Sequence, residues 1–379
     1  MTRTALINGR VVLPDGNRDG ISVLIEDDRI AVIGESVPDN VDKIDLAGET
    51  LLPGFIDIQV NGGGGRLFNT DPSVQTIEVM AAAHRRFGTT GLLPTLISDD
   101  LSVVATAIQA VDAAIERGVP GILGIHIEGP FLSNIRRGIH LASKLQQFDD
   151  RFVEVLCSAR NGHTLVTVAP ECISPNQISR LVEAGVIVAA GHSDADYETV
   201  RAALDAGVTG FTHVFNAMSQ LTNRAPGMVG AALEDESVFA GIIVDGHHLH
   251  PATFRVALQA KGVERLMLVT DAMATVGADD DEFILQGRAI RREGDRLISA
   301  EGKLAGSTLT MAAAVANAVD QGRLSLASAA KMASSTPAHF LGIGGDTGEI
   351  AVGRRADLVA IRDDFTVTRT WIAGNPSGD

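Results

Sequence analysis

The stretch Leu266-Met267-Leu268-Val269-Thr270-Asp271 places five apolar or β-branched residues directly before a carboxylate. A short apolar run without polar alternation reads as a strand buried on both faces, as in a parallel sheet. The same texture precedes Glu128 in Gly124-Ile125-His126-Ile127-Glu128, His192 in Val188-Ala189-Ala190-Gly191-His192 and His213 in Gly210-Phe211-Thr212-His213. Four side chains able to bind metal or move protons thus sit at the C-terminal ends of four separate runs.

Working outward, eight such runs occur, at 55–60, 91–96, 122–127, 164–169, 186–190, 210–214, 240–244 and 266–270. Between them lie Ala-rich segments with apolar residues at three- and four-residue steps, as over 101–115, which predict helices. Pro175 and Pro251 stand where helices start, and Gly118, Gly207 and Gly262 where they stop. Eight alternating units predict an α/β protein of the (β/α)8 TIM-barrel type. An open doubly wound sheet is the competing architecture. The barrel is preferred because chemistry-bearing residues follow many different strands, as barrel enzymes require.

The run Gly62-Gly63-Gly64-Gly65 matches neither phosphate-loop nor dinucleotide spacing and reads as a flexible loop after the first strand. Residues 279–300 read as an inserted hairpin, after which helices resume over 309–319 and 326–332. Ser307 or Thr308 would cap the first of these. The first 50 residues alternate apolar and polar positions between Gly turns, and a matching pattern returns in 348–372. The expected division is a small β-sandwich-like domain built from 1–52 and 346–379 around a barrel of 53–345.

The formal net charge of -16 argues against nucleic-acid or anionic-membrane partners, which reward clustered Lys and Arg. An anionic substrate then needs a local basic pocket. No apolar run reaches the roughly 18 residues of a membrane span, and no basic stretch followed by an apolar core opens the chain. A soluble, cytoplasmic protein is expected. Cys157 and Cys172 lack metal-finger or C-x-x-C spacing and read as buried thiols.

In a barrel the strand ends share one mouth, so positions 128, 192, 213 and 271 can converge. One carboxylate and two imidazoles suit one divalent ion such as Zn or Fe(II), leaving a position open for water. The predicted ligands are Glu128, His192 and His213. Asp271 is then the general base that takes the proton of an activated water. Each has a plainer alternative: a salt bridge for Glu128, a cap or core histidine for His192, an N-cap for Asp271. His126, two before Glu128, is expected deeper in the pocket, and His84, His163 and His339 carry no assigned chemistry.

With these residues go the motifs PGFIDIQVNGGGG from Pro53, HIEGPFL from His126, RRGIH from Arg136, AGHSDA from Ala190 and THVFNAM from Thr212. RAPGMVGA from Arg224, DGHHLHP from Asp245, LVTDAMA from Leu268, LAGSTLTM from Leu304 and GEIAVGRRADLVAI from Gly348 complete the set. In these, over essentially its whole length, the chain resembles the N-acetylglucosamine-6-phosphate deacetylases, a branch of the amidohydrolase superfamily. The resemblance implies metal-dependent hydrolysis of an acetamide in amino-sugar catabolism and cell-wall recycling. It also implies that His140 polarises the substrate carbonyl and that His248 and Arg224 bind phosphate, with help from the backbone at Asn216 and Ala217.

Sequence alone does not choose His248 over His247 or His250. In the family the segment matching Leu304, Ala305 and Gly306 contacts the sugar through its backbone, and Ile139 adjoins His140. Arg224 in the family reaches the neighbouring subunit's site, which implies a homodimer.

Many amidohydrolases carry His-x-His after the first strand and a carbamylated Lys after the fourth. Here the first position reads Gln59-Val60-Asn61, and the five lysines, Lys43, Lys144, Lys261, Lys303 and Lys331, all lie elsewhere. Amides are weaker ligands than imidazole, so Gln59 and Asn61 read as a vestigial second metal site and a single ion is expected. The alternatives are a deacetylase of an epimeric N-acetylhexosamine 6-phosphate, another amidohydrolase-superfamily enzyme such as a cyclic-amide hydrolase or nucleobase deaminase, and a catalytically dead relative.

Overall fold

The apolar runs are buried on both faces. Phe55–Val60 and Thr89–Ile97 are buried at every position, the pattern of strands with helices outside and packed side chains within. The computed structural model describes residues 3–38 and 40–377, so the extreme ends of the two expected terminal segments and residue 39 lie outside the described residues.

Eight parallel strands form one sheet, β1 (Phe55–Val60), β2 (Thr89–Ile97), β3 (Gly124–Glu128), β4 (His163–Val168), β5 (Ile187–Ala190), β6 (Gly210–Phe211), β7 (Phe239–Ile242) and β8 (Leu266–Leu268). Their spatial order is their sequence order. The sheet closes where Val60 pairs in parallel with Ala272 and the Asp271 N–H donates to Gln59 O at 3.0 Å. That closure decides for the barrel over the open sheet, because an open sheet would leave these backbone groups unpaired. All eight predicted runs are strands.

A helix follows each strand: α1 (Val74–Arg85), α2 (Leu101–Glu116), α3 (Asp150–Leu156), α4 (Pro175–Glu183), α5 (Tyr197–Asp205), α6 (Gly227–Glu234), α7 (Pro251–Lys261) and α8 (Met311–Gly322). Pro175 and Pro251 are first helical residues, and Ser174 with Gln177 makes a reciprocal capping box before α4. Gly262 ends α7 at φ +66°, a left-handed turn that a side chain resists. The cap of α8 is Thr310, which accepts from the Ala313 N–H, and neither Ser307 nor Thr308. Ser307 instead ends a strand, and its hydroxyl turns inward to Thr270 O.

Two other expectations change. The insertion is a four-stranded antiparallel sheet, Glu282–Leu285, Arg288–Glu293, Arg296–Ser299 and Leu304–Ser307, because the chain after 300 pairs back on the third of these strands. The glycine run is packed tightly: Gly62–Gly63 pairs with Arg66–Leu67, and a Cβ on Gly62 would press on Arg66 O and stand 2.8 Å from Ala274 N. Glycine is there for close approach of backbone to backbone. His84 sits beneath, its Nε2 2.8 Å from Gly62 O.

Strands from both ends of the chain share one six-stranded sheet, in which Thr50–Pro53 pairs with both Arg10–Leu13 and Leu358–Ile361. A second sheet of four strands faces it, and Leu6, Val23 and Ile30 of one pack with Leu51, Leu358 and Trp371 of the other in a separate apolar core. Cys157 and Cys172 are free and half-buried, more open than expected. No helix among the described residues is long and apolar enough to cross a membrane.

Candidate active site

Just beyond β5, β6 and β8 the backbone turns sharply. His192, His213 and Asp271 all take left-handed conformations, with φ of +50°, +31° and +51°. Histidine and aspartate tolerate this region better than most residues, and such strain collects at functional sites. The turns deliver all three side chains, with Glu128 from the end of β3, into one cleft of about 170 Å³. Ile139, His140, Asn216, Ala217, His248, Leu304 and Gly306 line the same cleft. A roomier cleft of about 230 Å³ under α9 (Leu326–Ala333) holds none of these groups.

The three predicted ligand atoms form a small triangle. His192 Nε2 is 3.2 Å from Glu128 Oε1, His213 Nε2 is 3.1 Å from the same oxygen, and the two nitrogens are 3.0 Å apart. His140 adds a fourth group: Glu128, His140 and His192 present ligand atoms within 4.8 Å of one another, and His140 Nε2 is 4.0 Å from Glu128 Oε2. His213 fits better as the third ligand, because its nitrogen is closer and because the Ser98 N–H donates to His140 Nδ1, which leaves the proton of a neutral His140 on Nε2.

The residues present fit a divalent ion. His192 Nδ1 donates to Arg136 O at 2.9 Å, so in the neutral ring Nε2 carries a lone pair. That lone pair faces the Glu128 carboxylate and a second imidazole nitrogen, a donor set that suits a divalent cation. An outer N–H on a backbone carbonyl is the usual way a ligating histidine is oriented. Edges near 3 Å also suit ligand atoms each about 2.0–2.2 Å from one ion.

Gln59 and Asn61 point into the same site as donors. Gln59 Nε2 donates to Glu128 Oε1 at 3.1 Å and to Asp271 Oδ1 at 3.2 Å, and Asn61 Nδ2 donates to Asp271 Oδ1 at 2.6 Å. Burial, then the Glu128 charge, raise the Asp271 carboxyl above the ordinary range, against His213, His248 and Asn61. Burial, reinforced by His192, pushes His140 down to about 3, so its ring is neutral. His126 lies deeper, Nε2 2.8 Å from Thr167 Oγ1, and burial pushes it down to about 4.

Three histidines that the sequence left equivalent are separated by the fold. His247 Nε2 turns out to Asp295 Oδ1 at 2.8 Å, and His250 caps α7 by accepting from the Ala252 N–H. His248 alone of the three lines the cleft, its Nδ1 2.6 Å from Asp245 Oδ2, which leaves Nε2 for a ligand. Arg224 stands on an exposed loop and does not line the cleft of its own chain. Ala305 is buried against Met273 and Leu285 rather than in the lining.

Sequence reasoning missed Ser98, Arg136, Gln286 and Arg288. Ser98 follows β2 and so occupies a strand-end position that the pattern could have flagged. The other three act through a backbone carbonyl or a distant loop, for which spacing carries no signal.

Residues 50–376 match the model of the Amidohydrolase family. The chain is 49% identical to the N-acetylgalactosamine-6-phosphate deacetylase of Shewanella sp. (strain ANA-3) over 87% of this chain and 83% of that protein. It superposes on the N-acetylglucosamine-6-phosphate deacetylase of Pasteurella multocida with a TM-score of 0.96 at 34% identity, covering 100% of both chains. A point mutant of the Mycobacterium smegmatis N-acetyl-D-glucosamine-6-phosphate deacetylase, in complex with N-acetyl-D-glucosamine 6-phosphate, superposes with a TM-score of 0.91 at 34% identity, covering 99% of both. Closed barrel, strand-end ligand cluster and these likenesses agree: the chain belongs to the amidohydrolase family and is a hydrolase.

Proposed function

We propose that this enzyme hydrolyses the acetamide of N-acetylglucosamine 6-phosphate, giving glucosamine 6-phosphate and acetate in amino-sugar catabolism and cell-wall recycling. The observation that carries the reading is the single cleft whose lining Asp271, His140 and the Glu128, His192 and His213 cluster share with His248. One divalent ion, Zn or Fe(II), held by Glu128, His192 and His213, supplies the Lewis acidity that polarises a carbonyl and acidifies a water.

The chain's own groups do the rest. Asn61 and Gln59 occupy Asp271 Oδ1, which leaves Oδ2 to take a proton from water and return it to the departing amine. His140, neutral and accepting from Ser98 at Nδ1, turns an Nε2–H donor toward the developing oxyanion. His248, held through Nδ1 by Asp245, offers Nε2 to the phosphate, and the backbone of Asn216 and Ala217 flanks it. Arg224 adds its planar donor fork from the neighbouring subunit of a homodimer. Gln59 and Asn61 serve as the vestige of a second metal site. The barrel domain spans 53–345, with the small domain from 1–52 and 346–379, and the protein works in the cytoplasm.

A second reading, the galactosamine epimer, is favoured by the 49% identity to the Shewanella enzyme. Acetate release from both epimers by the metal-reconstituted protein tests the two. Higher kcat/KM on the glucosamine derivative is expected. The reverse order would move the assignment to the epimer, and no acetate from either would overturn the reading.

A further inference from the structure

Ser98 follows the last residue of β2 and is 1% exposed. Its backbone N–H donates to His140 Nδ1 at 3.2 Å, and its hydroxyl oxygen lies 2.8 Å from the same nitrogen. A ring nitrogen that receives an N–H must carry a lone pair, so the hydroxyl also donates and the ring's proton sits on Nε2. The other tautomer would turn a lone pair toward the cleft.

Ser98 is itself gripped from the inserted sheet. Gln286, between the strands Glu282–Leu285 and Arg288–Glu293, donates from Nε2 to Ser98 O at 2.9 Å and to Asp99 Oδ2 at 3.0 Å. Both partners are acceptors, which fixes the amide's orientation, since turned over it would set oxygen against oxygen. Two residues on, Arg288 Nη2 donates to Ile139 O, the carbonyl just before His140. One turn of the insertion therefore holds both the residue beside the ring and the residue that sets its proton.

We propose that Ser98 and Gln286 are positioning residues for His140: Ser98 fixes its imidazole as the Nε2–H tautomer facing the cleft, and Gln286 holds Ser98 in the place where it does so. The inference rests on the reading of His140 as the carbonyl-polarising group. It gives the inserted sheet a part in the chemistry, although none of its first three strands lines the cleft.

The test uses the metal-loaded full chain and the variants Ser98→Ala, Gln286→Ala, Gln286→Glu and the double Ser98→Ala/Gln286→Ala. Each single alanine variant is expected to lower kcat roughly tenfold, the worth of one neutral hydrogen bond, with KM for N-acetylglucosamine 6-phosphate and metal content little changed. Gln286→Glu should fall further, because a carboxylate cannot donate to Ser98 O and repels Asp99. The double variant should be no slower than the slower single, since both losses run through one imidazole. Nitrogen-15 shifts of the His140 ring should show the proton on Nε2 in the parent enzyme. Multiplied losses in the double variant, kcat within twofold of the parent in both singles, or a parent ring protonated on Nδ1 would each overturn the proposal. If the parent released no acetate from either epimer, the proposed substrate would fall while the ring spectrum still decided the tautomer.

Discussion

Asn61 donates from Nδ2 to Asp271 Oδ1 at 2.6 Å, so an amide just after the first strand holds the carboxylate read as the general base. With Gln59 on the same oxygen, Asp271 is oriented by two neutral donors. The arrangement favours a carboxylate that is fixed yet still basic at its other oxygen.

Replacing Asp271 with Asn keeps the shape, and its amide can turn its oxygen to Asn61 and Gln59. The fold and metal content should persist while kcat drops by roughly two or more orders of magnitude, the usual contribution of a positioned base. Steady-state assays beside metal analysis decide it, and near-parental turnover would remove Asp271 from the reaction.

The metal is expected among Glu128 Oε1, His192 Nε2 and His213 Nε2, which lie within 3.2 Å of one another. We expect one equivalent of divalent ion per chain, abolished activity after chelation, and a melting temperature that rises again with added ion, as linkage requires of a ligand that binds only the native state. Two tightly held equivalents by elemental analysis would contradict the single-ion reading.

Arg224→Ala should raise KM far more for the phosphorylated substrate than for N-acetylglucosamine, because only the phosphate needs the guanidinium fork. Arg224 is exposed and outside its own chain's cleft, so mixing Arg224→Ala with Asp271→Asn protein should give mixed dimers more active on the phosphorylated substrate than either variant alone. Equal losses on both substrates, or no recovery on mixing, would count against the shared site.

The glycine run gives a stability prediction. A methyl on Gly62 would press on Arg66 O and the Ala274 N–H, neither of which is a side chain free to swing away. Gly62→Ala should cost about 1–3 kcal/mol, the range for overpacking, and Gly16→Ala serves as a control for strain without crowding, since nothing stands near its Cβ. Denaturant midpoints measure both.

Asp235 sets a pH dependence. Burial alone would raise its pKa, but bonds from Ser237 and Arg201 outweigh it and bring it down to about 2, with Arg201 Nη1 2.6 Å away. A carboxyl depressed in the folded state contributes stability above its unfolded pKa of about 3.9 and loses it as pH falls toward the folded value. The melting temperature of Asp235→Asn should therefore trail the parent by a constant amount above about pH 5, with the gap shrinking below about pH 4. A gap that widened on acidification would refute the assignment.

How much is legible in the sequence follows from how local each signal is. The run at 266–270 and its seven counterparts announce buried strands, because burial on both faces removes polar alternation within a single segment. Their closing residues announce the site, because strand ends of a barrel share a mouth. The insertion reads short by two strands, since the pairing of Arg296–Ser299 with Arg288–Glu293 and the return of Leu304–Ser307 onto it depend on register rather than composition. The glycine run reads as loose because sequence shows the absence of a side chain and not the backbone that fills its space.

The sequence by itself determined the eight buried strands and placed Glu128, His192, His213 and Asp271 at strand ends, for these follow from short-range periodicity and position. Only the tertiary structure decided that the sheet closes into a barrel, that His248 enters the cleft while His247 and His250 leave it, that amides orient Asp271, and that Gln286 reaches Ser98 from 188 positions away. Those outcomes depend on which donor meets which acceptor in three dimensions, a matching that chain spacing does not encode.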